Sequence, residues 1–409
     1  MSALRFVDLE CEVVTPTMIG GAGFRPEVRP PTFRGLARRW IRSLAGGVLG
    51  DDLSLIRQAE TAVLGGSLRA SPVAVRGFGN PAYGPLPTDP HDFPGVQYMY
   101  WAAYSARREC LLPGERFRLR VQTRPYSLPE SQVGSYTLDS GRAFDLSLAA
   151  LWLALRLDGF GYRSRRAAGC LRCLATPDGW PTSLPSPASQ AGSTAELAAE
   201  LAQGIDAIRR FPGWDPVDTL PTPTSFDILH PDALQLFVLD RVYPTWWEAL
   251  DAVGQNFKAF RLRYPNDYQG IRAILTRQRA ALRTVFRSIF GLPLAFFYSS
   301  LYRELANQGV PPREARARAS AVVAPFRAER RASPLVFRVC RLVGDEPRYG
   351  VLLGLWRSQF LSEPTLVVRP RDRALRPVNL PAPLSFAFVE EYLVHLGRTV
   401  APLIEVAYH

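Results

Sequence analysis

The run Gly159-Phe160-Gly161-Tyr162-Arg163-Ser164-Arg165-Arg166 has the residues of a phosphate cradle. Its two glycines let a backbone approach an oxyanion closely and reach positive φ. Its three arginines offer forked donors, and Phe160 or Tyr162 offers a face on which a base could stack. The same residues would also serve a tight helix-to-strand turn with its arginines in water. A second basic group is Arg34, Arg38, Arg39 and Arg42, with no acidic residue three or four positions away inside the segment 33–45. It suits contact with phosphates or an ordinary solvated helix face. Gly20-Gly21 forms a second glycine-rich turn.

Other chemistry has weaker support. Cys170 and Cys173 have zinc-like spacing, but they form a single pair with no histidine at ligand distance. On a strand, positions i and i+3 point to opposite faces. We therefore expect no metal. The histidines, His91, His230, His395 and His409, are scattered, and two of them adjoin prolines. Metal-independent RNA cleavage needs a base beside the 2′-hydroxyl, and no such cluster stands out.

The net charge is +12, and of 49 basic residues one, Lys258, is a lysine. Such a surplus favours a polyanionic partner, and arginine forks onto phosphate where lysine cannot. A GC-rich genome would also write arginine for lysine. Five cysteines, an odd number, suit a reducing cytoplasm. The N-terminus carries Asp8, Glu10 and Glu12 and reads as no signal peptide. The longest apolar runs, 146–155 and 292–298, are too short to span a membrane.

The elements that position these groups follow from periodicity. Residues 5–13 alternate, with Val7, Leu9, Cys11 and Val13 on one face and Asp8, Glu10 and Glu12 on the other. Residues 115–123 alternate likewise, with Arg116, Arg118 and Arg120 on the polar face. The two strands are expected to be neighbours, so their charges should pair across the sheet. A helix is expected from Pro30-Pro31-Thr32, with Thr32 as N-cap, to about Ala45, stopping at Gly46-Gly47. A short helix follows at 53–64, a strand near 72–78 and a Pro/Gly-rich loop at 79–95. The helix at 143–157 is apolar nearly all round and should be buried on more than one side. A short strand lies at 170–175.

The order β-α-β-β-α-β is the ferredoxin-like, or RRM-like, arrangement. Residues 1–178 would form that domain. Residues 179–221, rich in Pro, Ser and Ala, would be a linker with a short helix. Residues 222–409 would be a second ferredoxin-like domain, with strands at 234–239, 335–343 and 365–369 and helices at 267–289 and 385–396. The α+β class with two tandem ferredoxin-like domains and insertions is the expectation. The helix at 267–289 gathers Arg272, Arg279, Arg283 and Arg287 on one arc.

Thr15-Pro16, Ile19-Gly20-Gly21, Arg29-Pro30-Pro31-Thr32-Phe33-Arg34-Gly35-Leu36 and Arg39-Trp40-Ile41-Arg42 resemble the opening of the RAMP superfamily of CRISPR proteins. Within it the chain looks most like the first-numbered subunits of type III-B (Cmr) effector complexes. The loop at 159–169 is similar to the superfamily's glycine-rich signature, and so is Arg330-Arg331-Ala332-Ser333-Pro334-Leu335 ahead of a strand. One departure is Ala167-Ala168, where the family tends to keep glycine. The resemblance implies a cofactor-free cytoplasmic subunit that binds guide RNA, target RNA or both near the guide 3′ end, beside other subunits of the complex. It also implies a test for catalysis. Filament subunits of such complexes cut RNA with an aspartate in the loop between first strand and first helix, whereas loop 15–31 holds only Glu27 as an acid. We expect an RNA-binding subunit that does not cut. The alternatives are a metal-independent endoribonuclease of this fold and a protein-only scaffold.

Overall fold

The computed structural model describes residues 4–21, 25–89, 91–125, 129–211, 213–263, 265–278, 282–328, 330–383 and 385–409. The chain forms β1 (Phe6–Val13), α1 (Pro30–Leu49), α2 (Leu53–Leu64), β2 (Val73–Phe78), the two-residue β3 (Tyr83–Gly84), α3 (Pro94–Ser105) and β4 (Cys110–Leu111). Next come β5 (Arg116–Thr123), the hairpin β6 (Ser131–Val133) and β7 (Tyr136–Leu138), α4 (Ser140–Leu157), β8 (Leu171–Cys173) and α5 (Thr194–Arg209). It continues through β9 (Leu234–Tyr243), α6 (Trp246–Leu262), α7 (Pro265–Leu275), β10 (Leu294–Phe297), α8 (Ser299–Asn307), α9 (Pro312–Arg318) and β11 (Ser320–Pro325). The last elements are β12 (Leu335–Leu342), β13 (Arg348–Trp356), β14 (Thr365–Pro370), β15 (Val378–Pro381), α10 (Ala387–Thr399) and β16 (Leu403–Glu405). This is a mixed α/β protein whose sheets pair antiparallel.

The first sheet has the order β2-β5-β1-β8. Alternation decides its two faces. Val7, Leu9, Cys11 and Val13 from β1, with Phe117, Leu119 and Val121 from β5, are buried. The register sets Asp8 opposite Arg120, Glu10 opposite Arg118 and Glu12 opposite Arg116. The expected cross-strand pairing follows: Arg120 forks onto Asp8 at 2.8 and 2.6 Å, and Arg116 lies 3.5 Å from Glu12. The Arg120 hydrogen bond also holds the Asp8 carboxyl below its ordinary pKa.

α1 opens with Pro30 and Pro31 in its first turn, where a missing N–H costs nothing. Its N-cap is Arg29, so Thr32 sits inside the helix rather than capping it. It also runs beyond Ala45 to Leu49, through Gly46-Gly47. A Cβ on Gly47 would stand 2.6 Å from the Leu229 carbonyl oxygen, and one on Gly46 2.8 Å from the Ile228 side chain. These glycines admit a crossing segment rather than end the helix. α4 is buried on nearly every face, as its composition requires.

The second sheet has the order β12-β13-β9-β16. Its strands contribute Leu236, Val238, Val336, Leu342, Leu352 and Trp356 to the same core as β1, α1 and α4. β13 escaped the periodicity reading because its residues from Gly350 on are buried on both faces and do not alternate. Residues 179–221 are not a linker. Leu197, Leu201, Ile205 and Ile208 of α5, with Trp180, Leu184, Phe211 and Trp214, enter that core. Their apolar side chains are spaced among prolines and serines, which masks them in a composition count.

Two compact units result. One gathers Met1–Gln255, Val336–Ser358 and Gly397–His409, and the other Asn256–Leu335 and Gln359–Leu396. The divisions expected near 178 and 222 are therefore not the divisions of contact. The second unit holds the sheet β10-β11-β14-β15 and an aromatic cluster in which Phe257 meets Phe290 at 4.9 Å and Tyr392 at 5.0 Å. The long helix expected at 267–289 is two pieces. α7 ends at Leu275, and a 3-10 turn occupies Phe286–Phe290. Arg272 approaches Glu304 at 3.8 Å and Arg287 approaches Asp267 at 4.0 Å, so no single arginine arc forms; Arg279 lies outside the described residues.

Candidate nucleic-acid interface

The glycine-rich loop is built as a turn first. Gly161 (φ +88°) and Gly169 (φ +71°) adopt the left-handed region. A Cβ on Gly161 would strike the Met18 carbonyl, and one on Gly159 the Ala168 carbonyl. The loop is stitched to the segment after β1: Tyr162 N–H donates to Met18 O at 2.9 Å and Gly169 N–H to Pro16 O at 3.0 Å. Ala167, where the family tends to keep glycine, takes φ +60°. Its carbonyl accepts from the Thr15 hydroxyl at 2.7 Å and the Tyr100 hydroxyl at 2.8 Å, which holds this unfavourable conformation in place.

The side chains then divide. Phe160 is fully buried with its ring 4.9 Å from Phe33, so it is core and offers no face to a base. Arg165 is paired with Asp227 at 2.5 Å, and its carbonyl accepts from Phe337 N–H at 3.3 Å. Arg166 stacks over Phe337 at 5.5 Å. Tyr162 and Arg163 are half-buried and reach solvent, beside the exposed Arg108. The Arg108 guanidinium lies over the Tyr162 ring at 4.4 Å and that of Arg163 at 5.7 Å, so two cations meet one ring at the surface. Arg108 comes from the turn after α3, and nothing in its local sequence marked it.

The arginines of α1 are compensated by elements elsewhere in the chain. Glu60 of α2 takes Arg38 at 2.6 Å and Arg42 at 3.0 Å. Arg34 donates to the Leu64 carbonyl. Arg39 bridges Asp158 and Asp227, and its guanidinium lies 5.3 Å from the Trp40 and Trp356 rings. Burial, together with the neighbouring Arg165 charge, pushes the Arg39 pKa down to about 10 against the pull of Asp227. It stays a cation at neutral pH, held as a structural tie. Asp227, which also accepts from Ser358 at 2.6 Å, was not singled out in the sequence. Arg38, Arg39 and Arg42, without an acid inside the helix, thus find carboxylates far along the chain, and Arg34 finds a backbone carbonyl.

Gly20 is exposed, and its carbonyl accepts from Arg29 at 2.9 Å; Gly21 N–H donates to Arg25 O at 2.8 Å. Arg331 is structural, donating to Phe360 O at 2.7 Å and exchanging backbone hydrogen bonds with Leu292. Arg330 is exposed. Cys170 and Cys173 are both buried, and burial pushes both thiols up, Cys173 to about 11. Among the described residues no three His, Cys, Asp or Glu side chains gather as a metal site, and no helix is long and apolar enough to cross a membrane.

Residues 10–172 match the RAMP superfamily. Over that stretch the chain is similar to the RAMP superfamily of CRISPR proteins. The matched stretch runs from within β1 to β8 and includes α1 and the glycine-rich loop, so the arginines of both lie inside it. The chain is similar to two curated subunits of the CRISPR Cmr system from Pyrococcus furiosus. It is 28% identical to Cmr1-2 over 176 residues, 40% of this chain and 92% of that protein. It is 24% identical to Cmr1-1 over 365 residues, 87% of this chain and 89% of that protein. Its fold matches the apo crystal structure of Pyrococcus furiosus Cmr1 with a TM-score of 0.60 at 20% identity, over 98% of this chain and 99% of that one. It also matches a chain of the type III-B Cmr-beta structure bound to cognate target RNA, with a TM-score of 0.52 at 12% identity over 97% and 99%.

Proposed function

We propose that this chain is a non-catalytic RNA-binding subunit of a type III-B, Cmr-like effector ribonucleoprotein in CRISPR antiviral defence. The observation that carries the reading is the fold likeness over nearly the whole chain to Cmr1 and to a chain of a target-RNA-bound Cmr-beta structure. The order of elements along the chain supports it. The chain orders β1-α1-β2-β5-α4-β8 and β9-α6-β12-β13-α10-β16 each follow βαββαβ, and both sheets have the strand order 2-3-1-4. The partners would be guide RNA, target RNA and neighbouring subunits in the cytoplasm. Contact would fall on the backbone near the guide 3′ end, because base pairing supplies the sequence recognition.

Within the glycine-rich loop the RNA contact is assigned to Tyr162 and Arg163, joined by Arg108. Two guanidiniums beside a solvent-reaching ring can neutralise phosphates, and a base can stack on a guanidinium plane in turn. Absence of cutting is supported by loop 15–31, whose one carboxylate, Glu27, pairs with Arg29 at 3.2 Å. His230 is buried, with Nε2 3.0 Å from Val217 O and Nδ1 accepting from Asp232 N–H at 3.2 Å.

The test is binding of the full chain to labelled single-stranded RNA across a salt series, for wild type and Arg108→Ala/Arg163→Ala. The double variant should bind about tenfold more weakly, with a shallower salt slope. Equal affinity and slope would remove the loop from the interface. The same RNA, incubated without metal, should stay intact; products at fixed positions would favour the nuclease.

A further inference from the structure

We infer that the pocket at the start of α1, walled by Pro30, Pro31, Arg34, Arg38 and Arg124, binds a phosphate group. The inference rests on the RNA-binding reading for the source of that group, a backbone phosphodiester. The pocket has a volume of about 400 Å³. Three guanidiniums from two parts of the chain meet there, Arg34 and Arg38 from one face of α1 and Arg124 from the residue after β5.

Each guanidinium is anchored by the protein. Arg38 donates to Leu64 O at 2.8 Å and Gly65 O at 2.7 Å and pairs with Glu60, while Arg34 donates to Leu64 O. Arg124 donates through Nε to Ser71 O at 3.0 Å, and its backbone N–H reaches Pro72 O at 2.9 Å. Arg34 Nε is buried without a partner. Burial first, then repulsion from Arg38 and Arg124, holds the Arg34 guanidinium below its ordinary pKa. Glu60 also pairs with Arg42, so it does not neutralise the three cations.

A polyoxyanion would satisfy this arrangement. Phosphate oxygens accept forked donors from several directions at once, whereas a carboxylate offers two oxygens in one plane. The first turn of α1 holds no acidic residue, so the positive end of the helix dipole adds to the field. Anchored arginines also lose little side-chain freedom when the anion arrives. The pocket is separate from the Arg108-Tyr162-Arg163 cluster, and Arg124 belongs to neither signature motif.

Arg124 is exposed and outside any regular element, so Arg124→Ala is the primary variant. Arg313→Ala, exposed on α9, controls for the loss of one charge. Two readouts use the full chain: the salt dependence of single-stranded RNA binding, and the rise in melting temperature caused by inorganic phosphate against sodium chloride of equal ionic strength. Arg124→Ala should bind RNA about fivefold more weakly, lower the salt slope by about 0.7 and lose the phosphate-specific rise, while Arg313→Ala keeps both. If the phosphate effect depends on Arg124 but RNA binding does not, the pocket holds a phosphate and its source is free phosphate or nucleotide. If wild type binds no RNA yet loses phosphate stabilisation with Arg124→Ala, the pocket stands and the RNA-binding reading falls. If Arg124→Ala matches Arg313→Ala in both readouts, the inference is overturned, whatever the Arg108/Arg163 variant does.

Discussion

Glu12 is 3% exposed and lies among three guanidiniums, Arg116 at 3.5 Å, Arg172 at 3.0 Å and Arg341 at 2.9 Å. A buried carboxylate is tolerated only when its charge and lone pairs are met, and here three strands meet them. Glu12→Gln keeps the shape and removes the charge, leaving the arginines to repel one another. The arginines are partly solvated, which limits the loss to about 2 kcal/mol. Urea unfolding of the full chain reads it, and a change below about 0.5 kcal/mol would show that solvent already screens the cluster. The same logic divides the glycine-rich loop. Arg165 beside Asp227 is part of the fold, so its replacement would confuse an RNA-binding assay with a stability defect, whereas Arg108 and Arg163 hold a surface ring and make the cleaner test.

Within a single element, α1 carries two glycine environments. A Cβ placed on the exposed Gly35 would meet nothing within 4 Å, whereas one on Gly47 would face the Leu229 backbone, whose N–H donates to Ser43 O at 2.9 Å. Glycine inside a helix costs about 0.5–1 kcal/mol relative to alanine. Gly35→Ala should therefore stabilise the protein by up to that amount. Gly47→Ala should destabilise it by about 1–3 kcal/mol, because the crossing backbone must move. Thermal melts of the two variants against wild type decide this, and equal shifts of the same sign would contradict the close approach. One residue type at two places on one helix thus has opposite effects, set by what lies outside the helix.

Over the full chain, the expected domain at 1–178 lacks partners that its core requires. Arg338, 4% exposed on β12, donates to the carbonyls of Asp158 and Leu155 and to that of Leu171 at 2.6 Å. Arg341 completes the Glu12 cluster, and α5 covers part of α4. A fragment of residues 1–178 should therefore expose apolar surface from α4 and fail to melt cooperatively, whereas the full chain melts in a sharp transition. A cooperative melt of the fragment would show that the first sheet and its helices suffice.

Periodicity located the strands of the first sheet and the helices at 53–64 and 143–157, while it missed α3 and ended α1 too early. Alternation in 5–13 and 115–123 has a single burial solution, and the expected ferredoxin-like order set the two strands side by side so that their charges pair, as Asp8 and Arg120 do. The all-round apolar helix at 143–157 likewise required a buried position, because no other place accepts such a surface. The fate of most of the arginines, by contrast, was set by topology. Arg39 and Asp227, or Glu12 and Arg341, are far apart in the chain, and which charges meet depends on a strand order that local periodicity does not encode. Packing also made 179–221 part of the core and Gly46-Gly47 a crossing point. Burial on two faces erases the alternation that marks a half-buried element, and a missing Cβ is informative only once the neighbouring backbone is in place.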